Sequence, residues 1–169
     1  TLLAKRLVDV SPADLQRVFF SDNGSTAVEV ALKMSLRYWQ LKGKPERTTI
    51  VAMEGAYHGD TLGTMSLGAD SPFTAPWRKW AFPVRRFKAP ECHELAGETF
   101  ISDGSESIDH LSQILSEENG GTAAVILEPS VQGASGMRQQ PSGFLSKVKD
   151  LCLMHEAHLI LDEVFVAFG

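Results

Sequence analysis

The sequence predicts an α/β fold, a mostly parallel sheet with helices on both faces. Three observations carry this. Thr48–Glu54, Thr122–Pro129 and His158–Glu163 contain unbroken apolar runs, the pattern of strands buried on both sides. Stretches with helical apolar spacing lie between them. The strand candidates end in polar, glycine-bearing or aromatic residues, where open α/β sheets place their ligands.

Leu2, Leu3, Leu7, Val8 and Val10 repeat at helical spacing until Ser11–Asp14 breaks the run. Arg17–Ser21 reads as a short strand. A long helix follows through "GSTAVEVALKMSLRYWQLKG", with Val28, Ala31, Leu32, Ser35, Leu36 and Trp39 on one face and Gly43 at its end. Thr48–Glu54 is the second strand, and a turn at Gly55–Gly59 leads to a short helix near Asp60–Leu67. Gly68 to Gly104 is Pro-rich and irregular, a packed excursion studded with Trp77, Trp80, Phe82 and Phe87. "SESIDHLSQILSEENG" is an amphipathic helix opened by Ser105 or Ser107 and closed by Gly120. Strand Thr122–Pro129, a helix started by Pro141 and Ser142, and strand His158–Glu163 complete the chain.

The composition, 43% hydrophobic and 22% charged over 169 residues, suits one globular domain or a large part of one. A net charge of −5 argues against a nucleic-acid partner. Arg78, Lys79, Arg85, Arg86 and Lys88 read as a solvated loop or subunit contact. Cys92 and Cys152 have no metal or redox spacing and fit a reducing setting, cytoplasmic, or mitochondrial in a eukaryote. No apolar run approaches membrane-spanning length, so no membrane partner is expected. His155 and His158 read as surface or helix-end residues, not metal ligands.

Four clusters at strand ends carry the candidate chemistry. "DNGSTAVEVALK" offers Gly24 for close approach, hydroxyls from Ser25 and Thr26, and the free amides of a helix start; it is either a phosphate cup or an ordinary cap by Asn23 or Ser25. It lacks the Gly-Lys-Ser/Thr of a P-loop. "YHG" sets Tyr57 and His58 beside glycines, so a planar ligand could stack there, or Tyr57 could be a half-buried turn residue. Glu128-Pro129 precedes Gln132-Gly133. Asp162 is a carboxylate at a buried strand end, costly unless a cation or donor meets it. Beside a phosphate cup and an aromatic platform it suits a protonated heterocyclic nitrogen, as pyridoxal phosphate presents.

Ser21–Gln40, Ala56–Gly68, Ala123–Arg138 and Leu159–Val164 resemble, in this order, class III (fold type I) pyridoxal-phosphate aminotransferases over nearly the whole chain. "GSTAVEVALKM", the "YWQ" after it and "YHGDT" resemble most the members of the biotin pathway. That implies pyridoxal 5'-phosphate as cofactor, S-adenosylmethionine as amino donor and 8-amino-7-oxononanoate as acceptor. Another class III enzyme acting on an ω-amino acid or diamine, or a truncated non-catalytic binding module, stays open.

By the resemblance, Gly24 and Ser25 bind the cofactor phosphate. Tyr57 stacks on the pyridine ring and lines the substrate pocket, with His58 and Gly59 shaping the turn. Asp60 helps position the substrate, and Glu128 sits near the entrance in a switchable pair with an Arg. Asp162 binds the ring nitrogen, and Val164 packs on the ring face opposite Tyr57. Two departures accompany it. Val166 and Ala167 stand where the family has Thr and Gly before Phe168-Gly169. None of the eight lysines stands at the Schiff-base position. Residues 1–169 are thus expected to be part of a cofactor-binding large domain, with the N-terminal segment, the lysine region and the C-terminal small domain outside, and inactive alone. The intact protein is expected to be a homodimer with Pro72–Phe87 near the interface.

Overall fold

The computed structural model describes residues 1–95 and 97–168; Gly169, last of the strand-end motif, lies outside the described residues. The elements are α1 Leu2–Val10, α2 Gly24–Leu41, β1 Thr49–Met53, α3 Leu62–Leu67, β2 Arg85–Phe87, β3 Cys92–Leu95, β4 Glu98–Ile101, α4 Ser105–Glu117, β5 Thr122–Leu127, β6 Val131–Gln132, β7 Arg138–Gln139, α5 Phe144–Met154 and β8 His158–Leu161.

The central sheet runs β2-β1-β5-β8, every pair parallel. Alternation along the strands sends side chains to opposite faces. Val51, Met53, Val125 and Leu127 meet Leu111, Ile114 and Leu115 of α4 and Phe144, Val148 and Cys152 of α5. Ile50, Ala52, Ala124 and Ile126 meet Val28, Leu32 and Trp39 of α2. Helices therefore cover both faces, which is why these strands carry no polar alternation. The chain leaves β1 sideways to β2, then returns past β1 to β5 on its other side. A crevice opens where connections diverge in this way, beyond the carboxyl ends of β1 and β5.

Four expectations change. Arg17–Ser21 is irregular chain, not a strand: a strand exists only with a hydrogen-bonded neighbour, and no described residue pairs with it. The Gly68–Gly104 excursion holds regular structure, a 3₁₀ turn at Ala75–Trp80, edge strand β2 and the antiparallel β3–β4 hairpin. Gly104 and Gly143, both left-handed, occupy the caps of α4 and α5 (φ 73° and 77°). Asp103 Oδ1, not a serine, takes the Ser105 amide at 2.9 Å.

The basic cluster has a structural task. Arg86 donates to the carbonyls of Ser66, Leu67 and Gly68, closing the C-terminus of α3, and Arg78 pairs with Asp70. At the opposite end of the sheet, buried Arg47 donates to Thr122 O, His155 O and Glu156 O and stacks on Trp39, 4.4 Å from the ring centroid. His155 caps α5 as expected, but His158 is half-buried on β8, stacked on Trp39 and bonded to Ser35 Oγ at 2.8 Å. No metal-ligand cluster occurs among the described residues, and no helix there is long and apolar enough to cross a membrane.

Candidate cofactor site

The carboxyl ends of β1, β5 and β8 and the start of α2 enclose a cleft of about 430 Å³ lined by Gly24, Ser25, Tyr57, His58, Gly59, Glu128, Asp162 and Val164 among others. Every residue to which the resemblance gives a role lines it except Asp60, whereas Thr26 is taken up by the helix cap and Gln132 lies outside the lining. Asp60 stands one step behind, its Oδ2 accepting from the Tyr57 hydroxyl at 2.8 Å and its amide donating to Ser25 Oγ at 3.3 Å.

One side is the start of α2. Asn23 is the cap: its Oδ1 takes the Thr26 amide at 3.0 Å, and Thr26 Oγ1 accepts from the Asn23 amide at 3.2 Å. Ser25 is thus free of capping duty and lies in the cleft. The helix provides no internal acceptor for the Gly24 and Ser25 amides, leaving donors and the positive end of the macrodipole at the opening. A Cβ on Gly24 would lie 2.8 Å from Val164 Cγ2, so only glycine lets helix and Val164 approach here.

Asp162 forms the floor. Its Oδ2 lies 2.7 Å from His58 Nδ1, with side chains 7% and 0% exposed, and its Oδ1 accepts from the Val164 amide at 3.2 Å. A carboxylate only accepts, so the contact puts the proton on Nδ1. His58 is therefore a buried support beneath Asp162, and its ring offers no face for stacking. Tyr57, 47% exposed, offers one. Its hydroxyl keeps its proton more tightly than an ordinary tyrosine, because it donates to the Asp60 carboxylate.

Glu128 makes no ion pair among the described residues. Its Oε2 accepts from the Tyr57 amide at 3.1 Å and its Oε1 from the Gly133 amide at 3.2 Å, stapling the turn after β1 to the segment after β6. Burial raises its carboxyl pKa, and the two amides oppose that rise. Gly133, Ala134 and Phe165 complete the wall, and a Cβ on Gly133 would meet the Phe165 ring at 3.2 Å. Sequence reasoning assigned no role to Asn23 beyond a cap, nor to Ala134 or Phe165; only the capping spacing Asn23–Thr26 carried a signal.

The family model of aminotransferase class-III matches residues 1–169. The chain belongs to the class-III aminotransferase family. The adenosylmethionine-8-amino-7-oxononanoate aminotransferase of Geobacter sulfurreducens is 44% identical over 170 residues, 99% of this chain and 38% of that protein. The Synechococcus elongatus protein of that name is 47% identical over 167 residues with the same coverage. In the crystal structure of the Methanocaldococcus jannaschii protein of that name, the match has a TM-score of 0.88 at 33% identity, over 99% of this chain and 36% of that one. A PLP-bound amine transaminase from an uncultivated Pseudomonas species matches with a TM-score of 0.85 at 30% identity, over 99% and 38%. The chain spans 38% of the length of the first two relatives.

Class-III aminotransferases carry pyridoxal 5'-phosphate, and the residues present fit it. Free amides and a hydroxyl at Gly24–Ser25 suit a phosphate, the Tyr57 ring suits a flat heterocycle, and Asp162 suits a protonated ring nitrogen. No lysine lines the cleft among the described residues.

Proposed function

We propose that the intact protein passes an amino group from S-adenosylmethionine to the ketone of 8-amino-7-oxononanoate, as a homodimer, with a lysine from the rest of the polypeptide holding the cofactor covalently. The observation that supports this best is the Asp162 carboxylate on the cleft floor, braced by buried His58 and the Val164 amide. When bound, pyridoxal phosphate supplies an electron sink for charge developing at the carbon that bears the amino group.

This chain's own residues do the rest. Gly24 and Ser25 hold the phosphate. Asp162 accepts from the ring nitrogen and keeps a proton there, which strengthens the sink. Tyr57 sets the ring plane, and its bond to Asp60 fixes the tyrosine edge facing the substrate. Val164 and Phe165 narrow the opening and limit water. The switchable pairing expected of Glu128 starts from a carboxylate that already holds the Tyr57 and Gly133 amides, one on each oxygen, with acceptor capacity left for an arginine.

The similarity to an amine transaminase favours a second reading, a class-III enzyme using other amines. Mixing the intact protein with S-adenosylmethionine alone separates them. The expected result is conversion of the cofactor's aldehyde form to its aminated form, followed by 7,8-diaminononanoate once acceptor is added. Conversion by simple amines but not S-adenosylmethionine would favour the second reading, and conversion by neither would overturn transamination.

A further inference from the structure

Glu29 stands inside the Gly24–Lys33 motif but does not line the cleft; it borders a separate hollow beside Leu32 and Ile50. It faces the turn after β1. Its Oε1 accepts from Thr61 Oγ1 at 2.5 Å and from the Gly63 amide at 3.0 Å. Thr61 is the N-cap of α3, yet its side chain makes no cap bond. Its hydroxyl donates to Glu29 and lies 3.0 Å from Thr64 Oγ1, and Glu29 takes the second amide of α3, which an ordinary cap side chain could have satisfied.

Four residues earlier on α2, and so on the same helix face, Ser25 Oγ accepts from the Asp60 amide. The fit is close at both points. A Cβ on Gly59 would lie 2.8 Å from Ser25 Cβ, and one on Gly63 would lie 2.6 Å from Glu29 Cδ. Two side chains one turn apart on α2 thus grip the two ends of the segment Gly59–Gly63. The residues just before it are His58, which supports Asp162, and Tyr57.

We propose that Glu29 is a positioning residue that locks the Tyr57–Asp60 turn to the helix whose N-terminus receives the cofactor phosphate, so that phosphate seating and ring placement form one mechanical unit. This rests on the cofactor reading above, because the clamp matters for chemistry only if α2 holds the phosphate. Glu29 acts through Thr61 and Gly63, not on substrate. Both bonds end on a single oxygen, so an amide oxygen could replace it; the clamp needs an acceptor and not a charge.

The test uses the intact protein and three variants, Glu29→Gln, Glu29→Ala and Thr61→Val. The readouts are the cofactor dissociation constant, the visible circular dichroism of bound cofactor, and hydrogen exchange at the Gly63 amide in the cofactor-free protein. Glu29→Ala is expected to weaken cofactor binding about tenfold, because most of the loss of its two hydrogen bonds falls on the fold and only a part reaches the cofactor through the turn. It should also change the dichroism and speed exchange at Gly63. Glu29→Gln should stay near the unsubstituted protein on all three, and Thr61→Val should fall between.

A Glu29→Ala protein that melts earlier but binds cofactor with unchanged affinity and dichroism would reduce Glu29 to a structural residue and overturn the proposal. Equal losses in Glu29→Gln and Glu29→Ala would overturn the acceptor argument. If Glu29→Ala does not fold, Thr61→Val decides: unchanged affinity and dichroism there refute the clamp. Failure of the unsubstituted protein to bind pyridoxal phosphate would refute the cofactor reading itself, while Gly63 exchange still reports whether the clamp exists.

Discussion

Replacing His58 with Phe removes both ring nitrogens from the floor of the cleft: Nδ1, which bonds Asp162, and Nε2, which is buried without a partner among the described residues. Phe is larger than His and the site is fully buried, so no cavity forms and the packing cost is that of a slightly larger ring, which the melting measurement reads. What disappears is the 2.7 Å bond from Nδ1 to Asp162 Oδ2, between side chains that water barely reaches. Asp162 keeps only the Val164 amide, on its other oxygen. A hydrogen bond to a charged group contributes about 1.5–3 kcal/mol. If all of it appears in cofactor binding, the dissociation constant rises roughly 10- to 100-fold. The loss divides between fold stability and cofactor affinity, so both need measuring: thermal melting of the cofactor-free protein, and fluorescence titration with pyridoxal phosphate. His58→Asn, which keeps a donor on a shorter side chain, should recover part of the affinity. Unchanged affinity in His58→Phe, with melting lowered or not, would show that Asp162 orientation does not govern cofactor binding.

Three further outcomes are expected. Gly59→Ala forces a side chain onto a backbone at φ 118° and against Ser25, costing about 1–3 kcal/mol and weakening the Asp60 contact, seen as a lower melting temperature and poorer cofactor binding. His158 is held below its ordinary value of 6.5 by burial and by nearby Arg47, so its contribution is complete above pH 6.5 and is lost as pH falls toward the folded-state value. Melting measured across pH 5–7 should lose part of its slope in His158→Gln, and an unchanged slope would exonerate this group. The 169 residues expressed alone should show no transamination, since no lysine lines the cleft among the described residues, and should self-associate through the open edge of β8. A monodisperse monomer by light scattering would contradict the second expectation.

The apolar runs at Thr49–Met53, Thr122–Leu127 and His158–Leu161 and the helical spacing of Val28, Leu32 and Trp39 were enough to predict a parallel sheet covered on both faces. Local patterns are the direct trace of burial, so they survive in the sequence. The strand ends also named most of the cleft, because in an open α/β sheet the carboxyl ends converge whatever the loops do. The Arg17–Ser21 stretch carries the same local pattern and is not a strand, because pairing is a property of two segments and not of one. Edge strand β2, between Pro83 and Pro90, and the β3–β4 hairpin after it were hidden for the converse reason: three or four residues without a long apolar run look irregular until a neighbour fixes them. That His58 lies beneath Asp162, 104 residues away, and that Glu29 caps a helix not its own, depend on long-range geometry. No spacing along the chain records such contacts, since hydrogen bonds act through space and only the folded chain brings their partners within 3 Å.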